Sequence, residues 1–129
     1  MTTIDEFFKE AVQLLDKSPL QEYISVKEIS LNSRLKRILG RYFVFTKKIE
    51  ISEEVFYCCE KQDILKVILH ELCHNICEEK YGRQKEHGGH TEKWYEIGEQ
   101  ITEITGIPIN RRSSLNIDES KKNKNSKQV

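Results

Sequence analysis

His70-Glu71-Leu72-Cys73-His74 is the stretch of sequence on which the prediction of the fold depends. On an α-helix, residues four apart lie on the same face, with β-carbons about 5–6 Å apart. Two imidazoles placed in this way can both reach one tetrahedral Zn²⁺ through nitrogens about 2.0–2.1 Å from the metal. Glu71 points to the side of the pair, where its carboxylate can act as a general base on water. The spacing therefore predicts His70 and His74 as zinc ligands and Glu71 as the catalytic residue.

The helix that carries this motif is predicted to be central and buried. Apolar residues surround most of its circumference, which is typical of a core helix rather than a surface helix. They are Ile64, Leu65, Val67, Ile68, Leu69, Leu72, Cys73, Ile76 and Cys77. Histidines and a glutamate are unfavourable to bury in such a helix unless something satisfies their polar atoms, and a metal would do so. The alternative is a helix whose polar residues line one exposed edge.

The segments before the central helix predict one helix and a small sheet. Thr3-Ile4-Asp5-Glu6 has the capping-box pattern, and apolar residues at helical spacing follow it. Strand-forming residues are concentrated at 26–31, 42–45 and 49–51, and the segment 33–39 is predicted to be a short helix or turn ended by Gly40. The sequence thus predicts an α+β fold with an N-terminal helix, a small β-sheet and the central helix.

The third metal ligand is predicted to come from the segment that follows the central helix. Lys80 occupies the position, six residues after His74, at which metzincins have a third histidine. The remaining histidines lie in Glu86-His87-Gly88-Gly89-His90, where glycines allow a tight turn. His90 is favoured as the ligand because it precedes Thr91, the predicted N-cap of a third helix that runs to Gly106. His87 is predicted to support the ligands from outside the coordination sphere or to lie on the surface.

Two other completions of the metal site stay open at this point. A glutamate of the third helix could replace His90 as the ligand, and the candidates are Glu92, Glu96 and Glu99. Cys77 lies one turn beyond His74, and a thiolate there would favour a closed structural site or a supporting position beside the ligands. The four cysteines contain no C-x-x-C pair, so that a zinc ribbon is not indicated.

Composition points to one intracellular domain. The chain has 129 residues with 21 basic and 21 acidic side chains, so that net charge indicates no particular partner. The first residues lack the basic and apolar regions of a signal peptide, and no apolar run approaches the roughly 18 residues of a membrane span. We therefore expect a cytoplasmic protein with reduced cysteines and no membrane partner. Residues 1–112 are predicted to form a single domain and residues 113–129 a disordered lysine-rich tail. The sequence indicates no oligomeric state.

A basic segment with interleaved aromatic residues precedes the central helix. No acidic residue lies between Glu28 and Glu50, and the basic residues there are Arg34, Lys36, Arg37, Arg41, Lys47 and Lys48. Basic side chains beside aromatic rings suit single-stranded nucleic acid, because the charges contact phosphates and the rings stack on bases. The alternative is a solvated sheet edge whose charges prevent aggregation.

Three segments together resemble the SprT-like zinc metallopeptidase family, which is related to the DNA–protein crosslink protease Spartan. They are the H-E-x-x-H stretch 70–74, the Gly-His-x-x-x-aromatic element from Gly89 to Trp94, and the segment 101–106. The upstream segments 33–41 and 49–52 are also similar, and the resemblance covers about residues 20–112. It implies a zincin-like fold and one Zn²⁺ bound by His70, His74 and His90, with Glu71 as catalytic base.

The resulting hypothesis is a zinc metalloendopeptidase that hydrolyses protein substrates, including DNA-associated or DNA-crosslinked proteins. The residue that stabilises the oxyanion is left open among His87, Tyr81 and Tyr95, which are near the motif in sequence. The alternative is a non-catalytic, zinc-stabilised module that binds nucleic acid or protein. Glu71 favours the enzyme, because a structural zinc site has no use for a carboxylate beside its ligands.

Overall fold

A computed structural model describes residues 2–111, so that the predicted tail at 113–129 lies outside the described residues. The fold is mixed α+β, as predicted. Within the described residues the helices are α1 (Ile4–Leu14), α2 (Glu53–Cys58), α3 (Lys61–Tyr81) and α4 (Glu92–Thr105), and the strands are β1 (Glu28–Asn32), β2 (Gly40–Phe43) and β3 (Lys48–Ser52). Short 3-10 turns lie at Gln21–Tyr23 and Glu86–Gly89. None of the helices in this part of the chain is both long and apolar enough to cross a bilayer.

Helix α3 is the centre of the core. It packs against α1 and α4 and against strands β2 and β3. Ile68, Leu69, Leu72 and Ile76 on its surface are completely buried. Burying each such side chain contributes about 1.5–3 kcal/mol, so that the apolar surface of α3 accounts for much of the stability of the domain. The prediction of a buried central helix is confirmed.

The sheet lies against α3 and has the strand order β1-β3-β2. Strand β3 pairs in parallel with β1 and antiparallel with β2. Ile49 and Ile51 on β3 are completely buried, whereas Glu50 between them is only partly covered. This alternation places one face of the sheet in the core and the other towards solvent.

Gly40 differs from its predicted role. The segment 33–39 forms turns, one of the two predicted alternatives, and Gly40 begins β2 instead of only ending that segment. A β-carbon at Gly40 would lie 2.9 Å from the Cγ1 atom of Val67 on α3 and 3.1 Å from the carbonyl oxygen of Glu50. Glycine is therefore required here for the close approach of β2 to α3 and β3.

Helix α2 was not predicted from the sequence. Its N-cap is Ser52, whose hydroxyl accepts the backbone N–H of Val55 at 3.3 Å. Six residues are too few to show a helical period of apolar residues, and the preceding strand pattern runs directly into them. By contrast, the capping box predicted for α1 is present, with Thr3 and Glu6 bonded reciprocally.

Helix α4 ends at Gly106 in the left-handed conformation, as predicted. The helical spacing of Trp94, Ile97, Ile101 and Ile104 predicts one apolar face. The first three are buried, but Ile104 is 40% exposed. Thr91 occupies the N-cap position without capping the helix through its side chain. Its hydroxyl donates to Oε1 of Gln84 at 2.6 Å instead, which ties the start of α4 to the preceding loop.

A buried amide joins α3 to the sheet. Asn75 is completely buried, and its Oδ1 atom accepts the backbone N–H of Ser25 at 2.9 Å. Its Nδ2 atom donates to the hydroxyl oxygen of Ser25 at 2.8 Å and to that of Tyr42 at 2.9 Å. One side chain beside His74 therefore fixes α3 against β2 and against the segment that leads into β1.

We expect Asn75→Ala to lower the free energy of unfolding by about 2 kcal/mol, because polar groups that Asn75 now satisfies lose their partner. Chemical denaturation of the two proteins measures the difference. Gln62→Ala, at an exposed position on the same helix, should change the free energy by less than about 0.5 kcal/mol. Equal stability of the two variants would contradict the role of Asn75.

Candidate metal centre

The structure brings His70, His74 and His90 together. The rings of His70 and His74 lie one turn apart on α3, with centroids 5.2 Å apart. The ring of His90, from the loop before α4, lies 5.3 Å from the first and 4.7 Å from the second. One nitrogen from each ring can be chosen so that all three lie within 4.8 Å of one another. Three histidines far apart in sequence thus form one cluster.

Backbone carbonyls select the tautomers of two of these rings. The Nδ1 atom of His70 lies 3.0 Å from the carbonyl oxygen of Asn110, and that of His90 lies 3.1 Å from the carbonyl oxygen of His87. A carbonyl oxygen can only accept, so that each Nδ1 carries the proton and donates it. The Nε2 atom of each neutral ring is then unprotonated and can act only as an acceptor or a metal ligand. Hydrogen bonds of this kind are what orient histidine ligands of metals.

The three rings are held in their neutral form. Burial, with smaller contributions from His74 and His90, holds the pKa of His70 well below its usual value. Burial, with the nearby His90, lowers the pKa of His74 to about 3. The pKa of His90 is also lowered, chiefly by burial. At neutral pH the cluster therefore offers uncharged nitrogens, the form in which imidazole binds metals.

The spacing of the two unprotonated Nε2 atoms fits a metal ion. The Nε2 atoms of His70 and His90 lie 3.2 Å apart, although neither carries a proton that it could donate to the other. Two lone pairs at this distance repel each other unless a cation lies between them. Two nitrogens bound to one tetrahedral Zn²⁺ are about 3.3 Å apart, from Zn–N distances of about 2.0–2.1 Å. The three histidines could therefore hold a metal ion, and their geometry and chemistry are compatible with zinc.

Glu71 lies beside the histidine cluster and is almost fully buried. The residue is 2% exposed, and its Oε2 atom lies 4.0 Å from Nε2 of His70. It follows His70 on α3, so that the same helix sets the position of both side chains. The carboxylate is thus adjacent to the cluster without being one of its three members.

A strained turn presents His90 to the cluster. His87, Gly88 and Gly89 have positive φ angles of 53°, 63° and 87°. The turn brings the carbonyl oxygen of His87 within 3.1 Å of both the backbone nitrogen and the Nδ1 atom of His90. His87 therefore supports His90 through its backbone, whereas its own ring is outside the cluster and exposed.

Gly89 lies directly against His74. A β-carbon at this position would be 3.2 Å from both Cε1 and Nδ1 of the His74 ring. The φ angle of +87° also disfavours any residue with a side chain. Only glycine lets the loop pass close enough for His90 to reach the two histidines of α3.

Polar contacts of Gln84 fix the loop to the ends of both helices. Its backbone N–H donates to Oε1 of Glu78 at 2.9 Å, and its Nε2 atom donates to the carbonyl oxygen of Gly82 at 2.9 Å. Its Oε1 atom accepts the hydroxyl of Thr91. The segment that carries His90 is therefore attached near its beginning and near its end.

The side chain of Trp94 packs against all three histidine rings. It is completely buried, and its indole lies 4.9, 5.3 and 4.6 Å from the rings of His70, His74 and His90. Its backbone carbonyl accepts the thiol of Cys73 at 3.3 Å, which ties α4 to α3. A rigid ring in contact with all three imidazoles restricts their rotation.

Comparison with known proteins agrees with this geometry. The model of the SprT-like family matches residues 4–113. The chain belongs to the SprT-like family. Protein SprT-like of Bacillus cereus (strain G9842) is 29% identical to this SprT-like chain over 68 residues, which are 51% of this chain and 45% of that protein. The alignment thus spans less than half of the relative's length.

The other predicted ligands lie outside the cluster. Among residues 2–111, the group that could hold a metal contains neither Cys77 nor a glutamate of α4. Burial and the nearby Glu78 and Glu96 raise the pKa of the Cys77 thiol to about 11, which keeps it protonated at neutral pH. Glu96 accepts the hydroxyl of Tyr81 at 3.0 Å, and Glu92 and Glu99 are exposed.

The six basic residues of segment 34–48 divide into two groups. Arg41, Lys47 and Lys48 pair with carboxylates: Arg41 with Glu50 at 2.8 Å, Lys47 with Glu79 at 2.7 Å, and Lys48 with Glu50 at 3.6 Å. The other three, Arg34, Lys36 and Arg37, are exposed and form no ion pair with residues 2–111. Contact with nucleic acid stays a prediction. Arg34, Lys36 and Arg37 are the members of this segment whose charges are available to bind phosphates.

Sequence reasoning missed the groups that position the histidines. The carbonyl oxygen of Asn110 that orients His70 belongs to a segment without any motif, and its approach depends on how the chain folds back after α4. The contact of Gly89 with His74 was also missed, although a glycine immediately before a candidate ligand was a usable signal. From the sequence, Trp94 is recognisable only as an aromatic residue, because its contacts depend on how α4 packs on α3.

We expect Gly89→Ala to weaken zinc binding about 10–100-fold, because the added methyl group displaces the His74 ring or moves the His90 loop. Competition with a chromophoric chelator measures the affinity. Gly82→Ala is the matched control: this glycine has the same φ of +87°, but a β-carbon there meets nothing within 4 Å. Equal losses in the two variants would show that backbone strain, and not contact with His74, is responsible.

Proposed function

We propose that this SprT-like chain is a zinc-dependent metalloendopeptidase that hydrolyses peptide bonds in protein substrates. The observation that carries the proposal is the pair of unprotonated imidazole nitrogens of His70 and His90, 3.2 Å apart, next to the buried carboxylate of Glu71. A ligand cluster alone suits a structural site as well as a catalytic one. The adjacent carboxylate favours catalysis, since it is not needed to complete the group of three histidines.

His70, His74 and His90 would hold the metal. A bound Zn²⁺ would supply Lewis acidity, which lowers the pKa of a coordinated water to about 7 and polarises the scissile carbonyl. Glu71 accepts a proton from the attacking water and then delivers it to the nitrogen of the leaving amine. Because Glu71 follows a ligand histidine on α3, its carboxylate can take up the proton from water and deliver it to the amine without a conformational change.

The remaining residues of the site set its geometry. The carbonyl oxygens of Asn110 and His87 keep the Nδ1 protons of His70 and His90 in place, which leaves the Nε2 atoms available. Trp94 excludes water from beneath the three rings, because it is completely buried against them. These contacts preorganise the histidines, so that little reorganisation is needed on metal binding.

We expect Glu71→Gln to retain the fold and one zinc per chain and to lower the rate of peptide hydrolysis by about 10²–10⁴-fold, because the amide cannot accept the proton from water. Cleavage of unfolded casein by zinc-loaded protein measures the rate, and metal analysis measures the zinc content. Glu103→Gln, at an exposed position of α4, is the control and should cleave at the wild-type rate.

Two outcomes would contradict this assignment. Equal rates for wild type and Glu71→Gln would remove Glu71 from the mechanism. A zinc-loaded wild type that cleaves nothing would instead favour the non-catalytic zinc module, with the metal in a structural role.

We further propose that the substrates include proteins associated with or crosslinked to DNA. The support is the exposed group Arg34, Lys36 and Arg37, which has no carboxylate partner among residues 2–111. Phe45 on the turn between β2 and β3 is 86% exposed, and the guanidinium of Arg83 lies 4.8 Å from the centre of its ring. Exposed cations suit the phosphates of single-stranded DNA. Phe45 lies at the other end of β2 from these three cations and offers a separate ring for an unstacked base.

We expect replacement of Arg34, Lys36 and Arg37 by glutamine to weaken binding of a single-stranded oligonucleotide. The slope of log affinity against log salt should fall by about 2, because each phosphate contact contributes about 0.7. Fluorescence anisotropy over a salt series measures the slope. The matched control replaces Arg41, Lys47 and Lys48, which pair with carboxylates, and should change the slope less. Equal slopes for wild type and the first variant would exclude this surface.

A further inference from the structure

A cavity lies beside the histidine cluster. It has a volume of about 710 Å³ and is lined by the loop that follows α3 and by the first turns of α4. His90 is the member of the histidine cluster that lines it, and Tyr95 lines it from α4. A substrate peptide that entered this cavity would therefore contact His90 and Tyr95 together.

The hydroxyl of Tyr95 differs from those of Tyr42 and Tyr81. The hydroxyl of Tyr81 donates to Glu96 at 3.0 Å, and that of Tyr42 accepts from Asn75 at 2.9 Å. The Tyr95 hydroxyl forms no hydrogen bond with any residue in the range 2–111, and neither Tyr42 nor Tyr81 lines the cavity. Tyr95 is 43% exposed, so that its hydroxyl is accessible to a ligand.

Ring contacts hold Tyr95 in a defined position relative to the cluster. Its ring packs edge-on against Trp94 with centroids 5.0 Å apart, and Trp94 lies 4.6 Å from the ring of His90. Tyr95 therefore contacts the histidines indirectly, through the ring of Trp94. The ring of His87 also lines the cavity, but it is exposed on the strained turn of the loop. A donor on a helix is held more accurately than one on a loop.

We propose that Tyr95 is a catalytic residue whose phenol hydroxyl donates a hydrogen bond to the scissile carbonyl oxygen of the substrate. The proposal rests on the proposed peptidase function. As the oxygen of water bonds to the carbonyl carbon, negative charge develops on the carbonyl oxygen, and a fixed donor stabilises that charge most in the transition state. The C–N bond then breaks, and the proton taken up by Glu71 passes to the amine. Tyr95 keeps its own proton throughout.

The first test compares turnover by zinc-loaded Tyr95→Phe and wild type on one peptide. We expect kcat to fall about 10²-fold, the effect of removing one donor to an oxyanion, with KM changed less than about 3-fold. Zinc content and thermal stability should equal those of the wild type, because the lost hydroxyl has no partner within residues 2–111. Tyr57→Phe, 60% exposed on α2, is the control and should match wild type. Equal kcat for Tyr95→Phe and Tyr57→Phe would overturn the assignment.

The second test does not depend on turnover. A phosphinic peptide presents a tetrahedral, anionic centre in place of the scissile carbonyl, and its binding can be followed by the fluorescence of Trp94, the single tryptophan of the chain. We expect Tyr95→Phe to bind it about 10²-fold more weakly than Tyr57→Phe. Equal affinities would overturn the role of Tyr95. A wild type that binds the phosphinic peptide without cleaving peptides would overturn the peptidase proposal alone.

Discussion

The unprotonated Nε2 atoms of His70 and His90 face each other at 3.2 Å, and much of the surrounding structure keeps them there. Each ring is prevented from turning away by a hydrogen bond from its other nitrogen to a backbone carbonyl. Burial keeps the rings neutral, so that protonation does not relieve the repulsion between the lone pairs. An arrangement that is unfavourable by itself and is enforced from several sides is characteristic of a site built for a cation.

The elements around this pair have separable roles. Helix α3 supplies His70, His74 and Glu71 at fixed spacing, and its apolar surface anchors it between the sheet and the other helices. Helix α4 supplies Trp94, which packs against the histidine rings. The loop between them supplies the third histidine. Because α3 is held on all sides, the geometry of its two histidines depends on the core, whereas that of His90 depends on local turns and polar bonds.

The parts of this structure that follow from sequence are those with a local cause. The spacing of His70 and His74 on one helical face, the capping box at Thr3 and the left-handed Gly106 each depend on residues close together in the chain. The features that could not be predicted depend on contacts between elements that are far apart in the sequence. Gly40 was expected to end a short helix or turn, whereas the actual reason for a glycine there is the close approach of Val67 on a distant element. Ion pairs such as that of Lys47 with Glu79 likewise join residues whose proximity the sequence does not reveal.

The loop that carries His90 buries almost none of its residues; Gly89 is the exception between Gly82 and Thr91. Its order depends on the contacts of Gln84 and on the turn at His87, not on apolar packing. Segments of this kind open by local unfolding at a small fraction of the free energy needed to unfold a whole domain. The histidine cluster can therefore be opened and re-formed while the core stays folded, by local unfolding of one short loop.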